Sequence, residues 1–250
     1  MYLTVKGLIL RVTNYNDHDA LLNVLTHSYG KLTVKARGLR GKNSPLSASC
    51  QLLAYSEFVL FEYKGMYTIN EARTIELFRG LRNDLQKLSM GSYFAQVSDV
   101  LSQEDHSNPE LLSLALNSLF ALSGLGVDEL LVKSVFEFRS ACLAGYAPDL
   151  SGCIHCGNEF PDRFDVSAGH LECSSCRDAL SNGIRTPITA GVLDSLRYIN
   201  GCDSKHLSSF LVGDATLRLL SQVTELYLTT QLERGFSALD FYKSILLEQL

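Results

Sequence analysis

The chain has 250 residues, of which 46% are hydrophobic and 20% are charged, and its net charge is −5. This composition is that of an ordinary globular protein and excludes a disordered or fibrous chain. No segment approaches the roughly 18 apolar residues of a membrane span, and no charged leader precedes an apolar stretch, so we expect a cytosolic protein without a membrane partner. The length suggests two or three structural units.

The charge is distributed unevenly along the chain. Residues 1–80 contain ten Lys and Arg against six Asp and Glu, a balance of +4. Residues 81–250 contain twelve against twenty-one, a balance of −9. An asymmetry of this kind points to an anionic partner for the N-terminal part.

The first eighty residues have the pattern of short strands. Apolar and β-branched residues predict strands over 3–12, 21–26, 31–36, 52–63 and 66–74. We expect a bulge or bend in the first of them, at Lys6-Gly7. Five short strands in about 75 residues predict a small barrel, for which the five-stranded oligonucleotide-binding (OB) fold is the leading candidate.

The third predicted strand and its following loop carry cations and no acid. The cations are Lys31, Lys35, Arg37, Arg40 and Lys42. The first three share parity and would project from one face of an extended segment, which suits the phosphates of a nucleic acid. Candidate stacking surfaces for unpaired bases are Tyr15, Tyr29, Tyr63 and Tyr67. The alternative is a solvated basic edge strand that discourages aggregation.

From about residue 77 the hydrophobic spacing changes to three and four, which predicts helices. Pro109 marks an expected helix start, and Gly124 an expected helix end. Arg139 lies in a stretch that mixes apolar and cationic side chains, so it could pair with the carboxylate of a short acidic peptide. Ordinary core packing is the alternative interpretation of that stretch.

Two cysteine pairs, Cys153/Cys156 and Cys173/Cys176, are separated by sixteen residues. This spacing falls in the range of a four-thiolate zinc site, and four thiolates leave no open position for catalysis. We therefore predict one structural Zn²⁺ in a loop over 151–180. Redox-active or disulfide-bonded pairs are the alternatives.

We predict that the protein is not an enzyme. The sequence contains no phosphate-binding loop, no dinucleotide-binding glycine motif and no nucleophile elbow. His170-Leu171-Glu172 before Cys173 echoes the nucleobase-deaminase signature. The match fails because Glu172 directly abuts Cys173 and no Pro precedes that cysteine.

A family resemblance lies in segments 7–10, 25–31, 35–40, 136–139, 145–150, the cysteine pairs and 232–241. In their order and spacing these segments resemble the RecO family of bacterial recombination mediators. The resemblance implies an α+β protein with an N-terminal OB-fold barrel over 1–76, a helical domain over 77–150 and 181–250, and an inserted four-cysteine zinc finger over 151–180.

The resemblance also implies a function in DNA repair and homologous recombination, in the RecF pathway. Members bind single- and double-stranded DNA without sequence preference, anneal complementary strands and, with RecR, help to load RecA onto DNA coated by the single-stranded DNA-binding protein SSB. The implied partners are therefore DNA, RecR, the C-terminal tail of SSB and, indirectly, RecA, in the bacterial cytoplasm at the nucleoid.

Carried over by position, the implied DNA contacts fall on Lys35, Arg37, Arg40 and Lys42, with Lys31 nearby. Zinc falls on Cys153, Cys156, Cys173 and Cys176, and the SSB-tail groove lies near Arg139. Pro45 and its neighbouring serines replace a more cationic continuation, so we expect a smaller DNA footprint. The alternative function is that of a zinc-stabilised helical adaptor that does not bind DNA.

Overall fold

The computed structural model describes residues 1–124, 126–176, 183–202 and 210–247. The chain forms two compact units, Met1–Leu125 with Phe236–Leu250, and Gly126–Gly235. Among the described helices, none has the length and apolar character of a membrane span. The three-part domain division expected from the sequence stays a prediction, and its boundary at 180 lies outside the described residues.

A five-stranded barrel opens the first unit. Its strands are β1 (Tyr2–Tyr15), β2 (Asp19–Thr26), β3 (Lys31–Ala36), β4 (Tyr55–Tyr63) and β5 (Met66–Glu76). The sheet closes in the order β1-β2-β3-β5-β4, with β3 and β5 parallel and the other neighbours antiparallel. Inward-facing residues such as Leu22, Val34 and Phe58 fill its interior. The predicted OB-like barrel is confirmed.

The irregularity in β1 lies at Leu10, and the expected bulge at Lys6-Gly7 is wrong. Ile9 pairs with Val24 and Arg11 pairs with Asn23, so Leu10 is the extra residue. Gly7 keeps a regular register, but a Cβ there would clash with the side chain of Val24. The close approach of β2, rather than a bend, therefore requires a glycine at position 7.

Helices dominate the remainder of the chain. They are α1 (Arg79–Arg82), α2 (Leu85–Leu101), α3 (Pro109–Gly124), α4 (Glu129–Leu143), α5 (Ala190–Gly201), α6 (Asp214–Gln231) and α7 (Ser237–Leu247). Helix α3 begins and ends at the residues expected from the sequence. Asn108 accepts a hydrogen bond from the Leu111 amide and so caps its first turn.

Helix α7, at the end of the chain, packs on α2 in the first unit. The rings of Tyr93 and Phe236 meet edge to face with centroids 5.4 Å apart. The amide of Gln96 donates to the hydroxyl of Ser237 at 3.0 Å. The last helix is therefore part of the same core as the first long helix.

The second unit joins α4, α5 and α6 to a small sheet. Its strands are β6 (Asp149–Cys153), β7 (Arg163–Asp165), β8 (His170–Glu172) and β9 (Arg185–Pro187), in the order β6-β8-β7-β9. The main helix contact is between α4 and α6. The sheet holds both cysteine pairs close to its strand ends.

A buried ionic network lies between α4 and α6. Lys133 Nζ is 2.9 Å from carboxylate oxygens of both Glu137 and Glu225, and Thr224 donates to Glu137 at 2.8 Å. Burial disfavours the charge on Lys133, but the two carboxylates outweigh it and raise the pKa of the ammonium. Removing one partner of such a buried ion pair destabilises the fold, because an uncompensated charge is left buried.

Candidate nucleic-acid interface and metal centre

The alternation of β3 directs its cations outward. Leu32, Val34 and Ala36 are buried in the barrel, whereas Lys31 and Lys35 project from the opposite face. This arrangement agrees with the face inferred from parity. These two lysines form ion pairs with carboxylates, whereas Arg37, Arg40 and Lys42 are exposed.

Lys31 is engaged inside the first unit. Its Nζ donates to the Asp99 carbonyl oxygen at 2.6 Å and lies 3.3 Å from Asp99 Oδ1. Asn23 donates to the same carboxylate at 2.8 Å, and Arg11 Nε lies 3.4 Å from it. Only 19% of the Lys31 side chain is exposed. Its charge is therefore balanced within the protein.

Lys35 is also held by a carboxylate. Its Nζ lies 2.9 Å from Asp19 Oδ2 and 4.8 Å from the centre of the Tyr15 ring. The hydrogen bond from Lys35, followed by that from the Gly38 amide, lowers the pKa of Asp19. Tyr15, one of the expected stacking residues, thus lies beside a lysine that already has a partner.

The other three cations are exposed. Arg37, Arg40 and Lys42 lie at the end of β3 and in the turn that follows, where Gly38 has φ of 67°. Arg40 donates to the carbonyl oxygen of Asn16 at 2.9 Å, a contact that leaves its charge unbalanced. The ion pairs within the described ranges include none of these three residues. They form an open cationic patch at the end of β3.

An exposed aromatic pair that the sequence reasoning missed lies on the same barrel. Tyr2 and Phe61 are 63% and 41% exposed, and their ring centroids are 5.3 Å apart. With Arg37 and Asn70 they line an open depression of about 230 Å³. The pairing of Tyr2 with Phe61 depends on the register of β1 against β4, for which neither residue gives a local signal.

The other expected stacking residues have different settings. Tyr29 and Tyr63 are exposed, at 41% and 63%. Tyr67 is partly buried against the barrel core. Tyr67 is therefore poorly placed to stack on a base.

The four paired cysteines converge at one point of the second unit. The Sγ atoms of Cys153, Cys156, Cys173 and Cys176 all lie within 4.8 Å of one another. Four thiolates around a tetrahedral ion at about 2.3 Å would be separated by about 3.8 Å. Cys156 and Cys173 have that separation, 3.8 Å, which is far longer than a disulfide bond of about 2.05 Å. The cluster could therefore hold a metal ion.

Hydrogen bonds orient these sulfur atoms. Asn158 Nδ2 lies 3.3 Å from Cys173 Sγ, and the Cys173 amide donates to Cys153 Sγ at 3.3 Å. Burial opposes ionisation of Cys153, but backbone amides of Cys156, His155 and Cys173 outweigh it and lower the pKa of this thiol to about 6. In the same cluster the hydrogen bond with Cys156 raises the pKa of Cys176 to about 11, and the pKa of Cys173 is also raised. The arrangement of the four sulfur atoms therefore suits a metal ion, and binding would displace protons from the less acidic thiols.

Glu172, in the deaminase-like segment, is fixed in an ion pair. Arg185 Nε lies 2.8 Å from its carboxylate, and His170 Nε2 lies 3.0 Å from it. The hydrogen bond from Arg185 outweighs burial and, with His170, lowers the pKa of Glu172 to about 2. A carboxylate held in this state is unsuited to shuttling protons at neutral pH.

Arg139 contacts the end of a neighbouring helix. Its Nη1 donates to the carbonyl oxygen of Asn200 at 3.0 Å and lies 3.4 Å from that of Ile199, at the C-terminal turn of α5. A guanidinium there satisfies carbonyl groups that lack helical partners. Its Nε is buried and has no hydrogen-bond partner among the described residues.

Comparisons with known proteins cover nearly the whole chain. Residues 1–78 match the family model described as Recombination protein O N terminal, and residues 82–240 match Recombination protein O C terminal. The DNA repair protein RecO of Acetivibrio thermocellus is 35% identical over 247 residues, which are 98% of this chain and 97% of the relative. That of Heliobacterium modesticaldum is 35% identical over 226 residues, or 87% and 81% of the two chains. That of Bacillus subtilis is 28% identical over 228 residues, or 91% and 88%.

Proposed function

The chain belongs to the RecO family of DNA repair proteins, and we propose that it binds single- and double-stranded DNA through Arg37, Arg40 and Lys42. The observation that carries this proposal is the exposure of these three cations on an OB-like barrel, where none of them forms an ion pair within the described part of the chain. Arg37 lies close enough to Asp19 to contribute to the lowered pKa of that carboxyl. Contacts of this kind are made to phosphates and do not depend on base sequence.

Lys31 and Lys35 have secondary places in this proposal. Lys31 supports the barrel through Asp99 and contributes little direct contact with DNA. Lys35 can bind a phosphate only by exchanging its bond to Asp19 for one to the nucleic acid. The DNA-binding surface is therefore smaller than one in which all five predicted cations contact DNA.

The proposed activity is strand annealing without covalent chemistry. Cations that bind the phosphates of two strands lower the mutual repulsion of those strands, so complementary bases can pair. No nucleophile or general base is needed, and we propose that the protein is not an enzyme. Its site of action is the bacterial cytoplasm, at nucleoid DNA.

We further propose the partners that the family resemblance implies. These are RecR, the C-terminal tail of SSB and, indirectly, RecA in homologous recombination. Tethering to an SSB-coated strand would raise the local concentration of the annealing barrel. An SSB-tail groove near Arg139 must coexist with the contact of Arg139 to α5, so Arg139→Ala should be tested for both tail binding and stability.

The metal that we propose for the four-cysteine cluster is one structural Zn²⁺. The chemistry of the donor set supports this, because four thiolates in a tetrahedral arrangement favour zinc and close its coordination sphere. The ion would join β6 to the loop after β8 and so stabilise the small sheet of the second unit.

DNA binding is tested by reversing two of the open charges. We expect Arg37→Glu/Arg40→Glu to lower the affinity for labelled single-stranded DNA by at least about tenfold at low salt. The slope of log affinity against log salt should become shallower by roughly 0.7 for each lost phosphate contact. Fluorescence anisotropy at several salt concentrations measures both quantities.

A matched control makes the same change of net charge outside the barrel strands. Arg79→Glu/Arg218→Glu replaces two exposed arginines in α1 and α6 and should bind DNA with the wild-type slope. Wild-type binding by a folded Arg37→Glu/Arg40→Glu variant would overturn the proposed interface. A wild-type protein without DNA affinity would instead favour the zinc-stabilised adaptor.

A further inference from the structure

Tyr2 and Phe61 are exposed side by side on the outside of the barrel. Their rings are inclined by 52° with centroids 5.3 Å apart. More than half of Tyr2 and two-fifths of Phe61 remain accessible, at 63% and 41%. Adjacent exposed rings of this size are more typical of a binding surface than of scattered surface residues.

The strand register connects this pair to the cationic strand. Tyr2 is opposite Phe61, Phe61 is opposite Thr68, and Thr68 is opposite Lys35. Directly opposed residues project from the same face of a sheet. The four side chains therefore form one row around the barrel exterior, and Arg37 extends it from the end of β3.

The depression beside this row has the size and lining of a site for one planar ring. Its volume, about 230 Å³, is below the roughly 300–1,000 Å³ of pockets that enclose drug-sized ligands. Tyr2, Phe61 and Arg37 all line it. Asn70 adds an amide that both donates and accepts hydrogen bonds.

We propose that Tyr2 and Phe61 stack on an unpaired nucleobase whose phosphate is bound by Arg37. This proposal rests on the proposed DNA binding. It adds a physical reason why the protein would bind single-stranded DNA more tightly than duplex DNA. The bases of a duplex are already stacked, whereas every unpaired base offers a ring face. Because Asn70 can donate or accept, the site tolerates any base.

The test removes the rings and keeps the apolar bulk. We expect Tyr2→Leu/Phe61→Leu to lower the affinity for single-stranded DNA by about 5- to 150-fold, the effect of losing one base–aromatic stack. The affinity for duplex DNA and the salt slope should stay at wild-type values, because the phosphate contacts remain. Phe120→Leu is the matched control, since Phe120 is 55% exposed on α3, outside the barrel.

A change in the DNA provides a second measurement that does not depend on folding of the variant. A strand of the same length made of abasic sites keeps its phosphates and has no ring to stack. Wild-type protein should bind this strand as weakly as the leucine variant binds normal DNA. The leucine variant should bind the two strands equally.

The outcomes separate this site from the proposed function. Salt-sensitive wild-type binding that is equal for normal and abasic strands would overturn the stacking site and leave the phosphate interface intact. Equal losses on single strands and duplex in the leucine variant would also overturn it. Absence of wild-type DNA binding would instead remove the proposed function itself.

Tryptophan fluorescence provides a further test of the stacking site. The chain contains no tryptophan, so Tyr2→Trp introduces a single indole fluorophore at the site. Its emission should be quenched by a normal single strand and unchanged by the abasic strand. Unchanged emission with both strands at saturation would contradict the stack.

Discussion

Lys31 and Asp99 join the barrel to the first long helix: Lys31 Nζ donates to the Asp99 carbonyl oxygen at 2.6 Å and lies 3.3 Å from its carboxylate. Lys31 belongs to β3 and Asp99 to α2. Arg11 and Asn23, on β1 and β2, reach the same carboxylate. A cation that the sequence analysis assigned to DNA is thus part of the internal structure of the first unit.

Replacing Asp99 should destabilise the first unit. We expect Asp99→Ala to lower the free energy of unfolding by about 1–3 kcal/mol, because the Asn23 amide loses its acceptor and Lys31 loses its ion-pair partner. Lys31 keeps its hydrogen bond to the backbone carbonyl oxygen. Urea denaturation measures the change. Lys6→Ala, at an exposed position of β1, should stay within about 0.5 kcal/mol of wild type. Equal stability of the Asp99→Ala variant and wild type would show that the contacts of the Asp99 carboxylate have no structural role.

Releasing Lys35 from Asp19 should strengthen DNA binding. In Asp19→Asn the lysine no longer faces a carboxylate at 2.9 Å, so it becomes available to a phosphate. We expect a severalfold gain in affinity and a salt slope steeper by up to about 0.7 for single strands. Asp17→Asn makes the same charge change two residues away and should give a smaller gain without a steeper slope. Identical slopes for both variants would place Lys35 outside the interface.

Asp19 should also contribute to the loss of stability at low pH. The hydrogen bond from Lys35 lowers the pKa of Asp19 below 3.8 in the folded state. The folded protein thus holds this proton less tightly than the unfolded chain, and the associated stability is present above pH 3.8 and lost as the pH falls through the lowered value. Urea denaturation from about pH 5 to about pH 3 should show a shallower decline for Asp19→Asn than for wild type. Parallel curves would exclude the contribution.

Loss of one cysteine ligand should release the metal. We expect Cys173→Ser to reduce bound zinc from one per chain towards none and to loosen the sheet of the second unit, because metal binding is coupled to local folding. Zinc analysis after gel filtration and the melting temperature report the two effects. Cys202→Ser, outside the cluster, should retain the metal. In the wild-type protein, X-ray absorption should give four sulfur ligands at about 2.3 Å, and a lighter ligand set would contradict the assignment.

Breaking the buried network of the second unit should be costly. Lys133→Met leaves Glu137, which is 0% exposed, without its ion-pair partner. We expect the free energy of unfolding to fall by about 3–5 kcal/mol. The double variant Lys133→Met/Glu137→Leu should recover most of that loss, because the fully buried carboxylate is removed and Glu225, the other carboxylate beside Lys133, is 21% exposed to solvent. Arg218→Met, exposed on α6, serves as the control. Additive losses in the double variant would argue against coupling of the pair.

The parts of the fold that local patterns determine could be predicted from the sequence. The alternation in Lys31–Ala36 gave the bounds of β3, and Asn108-Pro109 and Gly124 marked the ends of α3. The cysteine pairs predicted their own convergence because each short turn already orients two sulfur atoms.

Contacts between distant segments could not be predicted in this way. Lys31 is 68 residues from Asp99, and nothing near Lys31 indicates that its charge is balanced. The pairing of Tyr2 with Phe61 follows from strand register, which depends on the whole barrel. The sequence pattern predicts a bulge at Gly7, because glycine is typical of bends, whereas the bulge lies at Leu10. At position 7 the glycine is required by close packing of the neighbouring strand.

The position of α7 in the first unit has a consequence for biosynthesis. A growing chain completes Gly126–Gly235 before Phe236 leaves the ribosome, so the contiguous second unit has all its residues first. The first unit, which contains the barrel, is complete only when the last segment has been synthesised and Phe236 covers Tyr93 on α2. Nascent chains arrested before residue 236 would therefore present an uncovered apolar helix surface to chaperones and proteases, even though every strand of the barrel has been made.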